Sequence, residues 1–126
     1  MSNCNFTFAE LVASQTAKKR GIDNMPKNME IISNLVTLWR FALQPLRDAM
    51  KFPIIITSGY RCTALNKAVG GVENSYHLQG LAADIDCGDV RNKKIYEWLK
   101  SRQKYYKLKE VLWENNGSWV HVAIEK

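Results

Sequence analysis

Histidine is scarce in this 126-residue chain, which holds only His77 and His121. Chemistry that needs imidazole must therefore draw on one or both. The three cysteines, Cys4, Cys62 and Cys87, are odd in number and have no C-x-x-C spacing. That argues against a disulfide framework and against a thiolate zinc knuckle, and points to a reducing compartment during synthesis. No apolar run approaches the roughly 20 residues that a bilayer-spanning helix needs, so membrane insertion is not expected. The opening Met1-Ser2-Asn3-Cys4-Asn5-Phe6 has neither the basic start nor the apolar core of a secretory leader. The chain thus reads as made in the cytoplasm, and action outside the membrane would need another route of release. Repeats, low-complexity tracts and linkers are absent as well, so residues 1–126 read as one domain.

Acidic residues are in deficit. Lys and Arg number 18 against 12 Asp and Glu, a formal net charge of +6. A basic surface favours polyanionic partners. The basic residues are scattered, however, over Lys18-Lys19-Arg20, Arg91 to Lys94 and Lys104 to Lys109. With no helix-turn-helix, zinc-finger or RNP pattern beside them, no nucleic-acid partner is expected. At 46% hydrophobic and 24% charged, the composition is that of an ordinary globular protein. With no obvious surplus apolar face, a monomer is the default.

The periodicities outline an α+β domain. Thr7 and Glu10 have capping-box spacing before a short helix with Phe8, Leu11 and Val12 inward, and Gly21 is a natural stop. Asn28 can cap a long helix over about 29–49, whose stripe is Met29, Ile32, Leu35, Val36, Trp39, Leu43 and Leu46. Pro45 should kink or split that helix. Phe52 to Ser58 is short and β-branched and reads as a central strand. A brief helix over Thr63 to Ala68 and a strand over Leu81 to Cys87 follow. Asp89 can cap a helix from Val90 to Arg102, with Val90, Ile95, Trp98 and Leu99 inward. Lys109 to Glu114 and Ser118 to Ile124 then form a hairpin around Asn115-Asn116-Gly117, residue types that tolerate positive φ. The resulting architecture is N-terminal helices packed on a small, largely antiparallel sheet.

Ser75 to Asp86 carries the chemistry. His77 precedes a strand that bears Asp84, and His121 lies on the last strand. Two imidazoles and a carboxylate are a sufficient donor set for one zinc ion with an open position. In the hairpin register, Glu114 pairs with Trp119 and Leu112 with His121, which puts Glu114 on the face of His121. There it is either a surface acid at the hairpin edge or a general base that takes a proton from water and hands it to a leaving amine. Arg61, at the end of the first strand, is either an exposed arginine after a turn or a clamp for a substrate carboxylate or oxyanion. Asp86 shares the face of Asp84 by alternation and is a candidate supporting acid.

Taken together, Ser58-Gly59-Tyr60-Arg61, Asn66, Val69-Gly70-Gly71, Ser75-x-His77-x-x-Gly80-x-Ala82-x-Asp84 and Trp119-Val120-His121-Val122 resemble the zinc D-alanyl-D-alanine carboxypeptidase family. That family includes peptidoglycan carboxypeptidases and phage endolysin peptidases and shares its fold with the Hedgehog signalling domain. The similarity runs from about Phe6 to Ile124. Phe6-Thr7-x-x-Glu10-Leu11, with Ser14, Thr16 and Ala17, is similar to compact phage and prophage members. The resemblance implies that His77, Asp84 and His121 bind Zn2+, that Arg61 meets the substrate or oxyanion, and that Ser75 supports the site by hydrogen bonding. Several branches carry an acid three residues before the last histidine. Here that position is Ser118, so the role of base goes to Glu114, the nearest acid on the correct face, with Asp86 as a second candidate that could equally be a supporting acid. The expected activity is hydrolysis of peptidoglycan stem peptides, as a D-Ala-D-Ala carboxypeptidase or an L-Ala-D-Glu endopeptidase acting on the wall after release. The alternatives are a cytosolic D,D-dipeptidase and a non-catalytic, zinc-stabilised wall-binding module.

Overall fold

The computed structural model describes residues 8–125. Thr7, and with it half of the expected capping box, lies outside them. The N-terminal helical region is two short helices, α1 (Phe8–Val12) and α2 (Gln15–Arg20). Ser14 separates them because its side chain accepts from Ala17 N and starts α2 afresh. Gly21 ends α2 in the left-handed region at φ 66°. Leu11 is buried, whereas Phe8 is exposed.

The long helix begins where Asn28 accepts from Glu30 N, and it divides as Pro45 requires. Helix α3 (Met29–Leu38) runs into a π-helical turn over Trp39–Leu43, and α4 (Gln44–Met50) continues with Pro45 in its first turn. The missing proline N–H and the ring's clash one turn back are accommodated by the wider π spacing. The buried stripe is Leu35, Leu38, Ala42, Leu43 and Leu46, while Met29 and Val36 face outward. The π turn shifts the phase of the apolar face, so a uniform helical period misplaces those two.

Four antiparallel strands follow in the order β1 (Ile56–Ser58), β2 (Ala82–Ile85), β4 (Trp119–Ile124), β3 (Leu108–Glu114). The segment expected as a central strand is instead the three-residue edge strand β1. Pro53 lacks a ladder donor, and Ile55 is exposed rather than packed between neighbours. Between β1 and β2 lie α5 (Thr63–Ala68), whose first turn receives a cap from Cys62 Sγ, and a 3-10 turn over Tyr76–Gln79. The described cysteines, Cys62 and Cys87, are free thiols.

Helix α6 (Asp89–Arg102) is preceded by Gly88 at its cap position, and Asp89 makes no side-chain cap. Val90 in its first turn is exposed, and the fully buried positions are Asn92, Ile95 and Leu99. Helices α3, α4 and α6 bury the face of the sheet carrying Ala83, Ile85, Val111, Val120, Val122 and Ile124. A register shift lies between Leu108, opposite Ile124, and Glu110, opposite Ala123. The extra residue, Lys109, returns Leu108 to the core while Glu110 faces the other way. Across that bulge, one strand serves both sides.

Two glycines set how closely the chain approaches itself. Gly80, at φ +73°, closes the turn that carries His77, and a Cβ there would lie 2.9 Å from Ile31 O. A Cβ on Gly59 would collide with the backbone carbonyl of Leu11. That carbonyl accepts from Tyr60 N at 2.8 Å, so α1 is docked directly on the end of β1. Gly59→Ala should destabilise the fold by about 1–3 kcal/mol, the usual range for overpacking. Urea titration reads this; a change within about 0.5 kcal/mol, the surface-substitution range, would show that α1 is free to move.

Candidate metal centre and active-site cleft

Strand pairing builds the centre. Asp84 on β2 stands directly opposite His121 on β4, on the face turned away from the helices. His77 reaches the same point from the 3-10 turn. Among the described residues, these three form a group whose donor atoms lie within 4.8 Å of one another. His77 Nε2 and His121 Nδ1 sit 3.3 and 2.8 Å from the same Asp84 Oδ1.

The outward nitrogens decide which atoms face inward. His77 Nδ1 is 2.7 Å from Gly59 O, and a carbonyl only accepts, so Nδ1 carries the proton. His121 Nε2 is 2.9 Å from Glu110 Oε1 and donates to it. With both outer nitrogens protonated, neutral imidazoles turn lone pairs toward an ionised carboxylate. That arrangement is repulsive unless a proton or a metal ion occupies the middle. The donor set therefore fits a cation, and two imidazole nitrogens with one carboxylate oxygen suit a divalent metal with an open position.

Electrostatics in the metal-free state agree. Burial opposes ionisation of Asp84, but hydrogen bonds from His121 and His77, and their charge, bring its pKa from 3.8 down to about 2. Burial likewise works against a charge on His121, yet the carboxylates of Asp84 and Glu110 raise its pKa above 6.5.

The cleft around this group, about 590 Å³, is lined by Arg61, Ser75, Glu110, Glu114 and Trp119 together with the three donors. The Val69–Val72 loop forms one wall, and β3 and β4 form the other. Arg61 N donates to His77 O at 3.1 Å, and its Nη2 contacts Ser75 Oγ at 3.3 Å. The same Ser75 oxygen accepts from His77 N at 3.1 Å, tying the arginine to the histidine turn. Arg61 Nε is buried without a partner. Desolvation lowers the guanidinium pKa while Asp84 raises it. Arg61 thus places a half-buried cation in the cleft wall, where its charge suits an anionic group.

Of the residues expected at the site, His77, Asp84, His121, Arg61, Ser75 and Glu114 all reach this cleft. Asp86 does not line it. Strand β2 ends at Ile85, and Asp86 Oδ1 accepts instead from Gly88 N and Asn92 Nδ2, holding the turn into α6. Glu110 escaped the sequence reading, although counting two residues back from Leu112, the partner of His121, finds it.

Asn24, in the segment between α2 and α3, is buried. Its Nδ2 donates to Val12 O and Tyr60 O, and its Oδ1 accepts from Cys62 N. Arg61 is held between the Tyr60 and Cys62 anchor points. No periodicity signals such a residue.

The profile of the Peptidase M15 family matches residues 4–123, and the chain belongs to that family. Among characterised relatives it is similar to the zinc D-Ala-D-Ala carboxypeptidase of Streptomyces albus G, at 38% identity over 85 residues. The match covers 67% of this chain and 32% of the relative, so the chain spans about a third of that relative's length.

The two pKa shifts act on stability with opposite signs. Asp84, depressed when folded, contributes stability that is present above its unfolded pKa and lost as pH falls toward 2. His121, raised when folded, contributes stability present below 6.5 and lost as pH rises through its folded value. Metal-free protein should be most stable between about pH 4 and pH 6.5, and Asp84→Asn should flatten both limbs. Added metal requires deprotonated imidazole, so its stabilisation should grow with pH instead. Denaturant titrations from acid to mildly basic pH test this; an acidic limb identical in wild type and Asp84→Asn would refute it.

Proposed function

We propose that this protein is a zinc-dependent metallopeptidase that hydrolyses peptide bonds in bacterial peptidoglycan stem peptides. The observation that carries the reading is convergence. His77 Nε2, Asp84 Oδ1 and His121 Nδ1 meet on the floor of one cleft whose walls supply a half-buried arginine and a free glutamate. His77, Asp84 and His121 would hold one zinc ion, and the relative named above is a zinc enzyme acting on D-Ala-D-Ala. When bound, zinc supplies a Lewis acid for the scissile carbonyl and for water.

The remaining work falls to this chain's side chains. Arg61 offers its guanidinium from the cleft wall to a substrate carboxylate or carbonyl oxygen. Ser75 restrains both Arg61 and the His77 turn. Glu114 lies on the cleft face opposite Trp119, and is the acid that takes a proton from water and delivers it to the leaving amine. The +6 charge suits an anionic wall polymer, in keeping with a compact endolysin-type member.

Zinc-loaded protein should release new amines from purified sacculi, and mass spectrometry of the fragments identifies the bond. Free D-alanine marks a carboxypeptidase, a new D-Glu amino terminus marks an endopeptidase, and unchanged fragments across several wall types refute the reading. Glu114→Gln should lower kcat by about 10²–10⁴-fold, the usual contribution of a general base, with bound zinc unchanged by metal analysis. Arg61→Ala should act mainly on KM.

A further inference from the structure

We infer that Glu110 is a positioning residue that fixes the tautomer and orientation of His121, and that it is distinct from the proton-transferring acid. The inference rests on the metal-centre reading above and adds to it a residue with its own role.

Glu110 and His121 are on adjacent strands but are not directly opposed: Glu110 pairs with Ala123 and His121 with Leu112. The carboxylate therefore reaches diagonally along the cleft face to meet Nε2 at 2.9 Å. The bulge at Lys109 lets it do so without pulling Leu108 from the core. The imidazole ring then stands between Glu110 and the Asp84 oxygen that its Nδ1 faces at 2.8 Å. A carboxylate in that place can hold the Nε2 proton and so present the Nδ1 lone pair inward. Glu110 Oε1 is committed to the ring, whereas Glu114, two pleats along the strand, lines the same cleft with no such bond to either histidine.

His77 is held in a matching way by a backbone carbonyl, Gly59 O, which no side-chain substitution removes. His121 has only a side chain for that purpose. Of the two histidines, His121 is thus the one whose orientation a single substitution can release.

The chemistry separates Glu→Ala from Glu→Gln. A glutamine carbonyl oxygen still accepts from Nε2–H, while alanine accepts nothing. Glu110→Ala, Glu110→Gln and Glu114→Gln are compared with wild type in zinc affinity, by competition with a chromophoric chelator, and in the absorption spectrum of the cobalt-substituted protein. Glu110→Ala should weaken zinc binding by about 10–100-fold, the range for losing a carboxylate behind a ligating histidine. Its cobalt spectrum should shift, and Glu110→Gln should recover most of the affinity and the wild-type spectrum. Metal-free melting curves of the variants verify that each is folded.

Zinc affinity within twofold of wild type in Glu110→Ala would overturn the inference. So would equal loss of kcat in Glu110→Ala and Glu110→Gln with unchanged metal affinity, which would make Glu110 the proton-transferring acid. If wild type itself binds no zinc or cobalt, the metal-centre reading fails instead, and the two failures are told apart.

Discussion

Two imidazoles share one carboxylate oxygen at the centre of this molecule, and both have their outer nitrogens already committed. Gly59 O and Glu110 Oε1 take the outward protons. The inward side is therefore a concentration of electron pairs around Asp84 Oδ1, which only a positive charge makes favourable. Without metal, a proton fills the role, and the raised pKa of His121 and lowered pKa of Asp84 express its binding. With metal, the same preorganisation becomes affinity, because the ligands need no rotation or change of tautomer. Much of the architecture serves that geometry. The β2–β4 register places Asp84 opposite His121, and Gly80 turns the chain so that His77 arrives from the side.

The loops that complete the cleft are held by buried asparagine side chains that bond to backbone, Asn24 and Asn92 at two or more points each. Asn24 clasps Val12, Tyr60 and Cys62 around Arg61. Asn66 holds Val72 O and packs under Gly71, fixing the wall loop. Asn92, fully buried, joins the end of β2 to the β3–β4 turn through Cys87 N and Gly117 O. Amide side chains suit this role because each offers both donors and an acceptor, so a loop's orphan backbone groups are met without adding a charge. The cleft walls are thereby tied to the core side of the sheet. Rigid walls are what keep a desolvated Arg61 facing the cleft rather than solvent.

How much of this was legible beforehand follows from the range of each interaction. The grouping of His77, Asp84 and His121 was readable because histidine is scarce and because strand alternation is a local rule. The 114–119 and 112–121 pairs followed from the Asn115-Asn116-Gly117 turn alone, which sets the register of everything attached to it. Strand order was not readable: Phe52 to Ser58 has the composition of an interior strand, yet it lies at the edge because α1 docks on its end and only β2 pairs with it. The phase of the long helix failed at Val36 for a related reason, since a π turn forced by a downstream proline rotates the face by tertiary fit. Asn24 and Asn92 carry no periodic signal, because their partners lie up to 38 residues away in the chain.

The roles proposed for Glu110 and Glu114 make demands that one acid could not meet alone. A carboxylate that orients a ligand must stay ionised and bonded to its imidazole through the reaction, or the ligand loses its tautomer. A carboxylate that transfers protons must give up that constancy and change its protonation state in every turnover. The two demands conflict in a single group. In the proposed reading they fall to two acids on strand β3, at positions 110 and 114, both on the cleft face by period two, with Leu112 between them opposite His121. An exposed Leu112 at that point adds no competing hydrogen bond to either carboxylate. The spacing lets the first acid stay on the ring while the second lines the cleft without a bond to either histidine, so that, on that reading, one strand carries both the support and the chemistry.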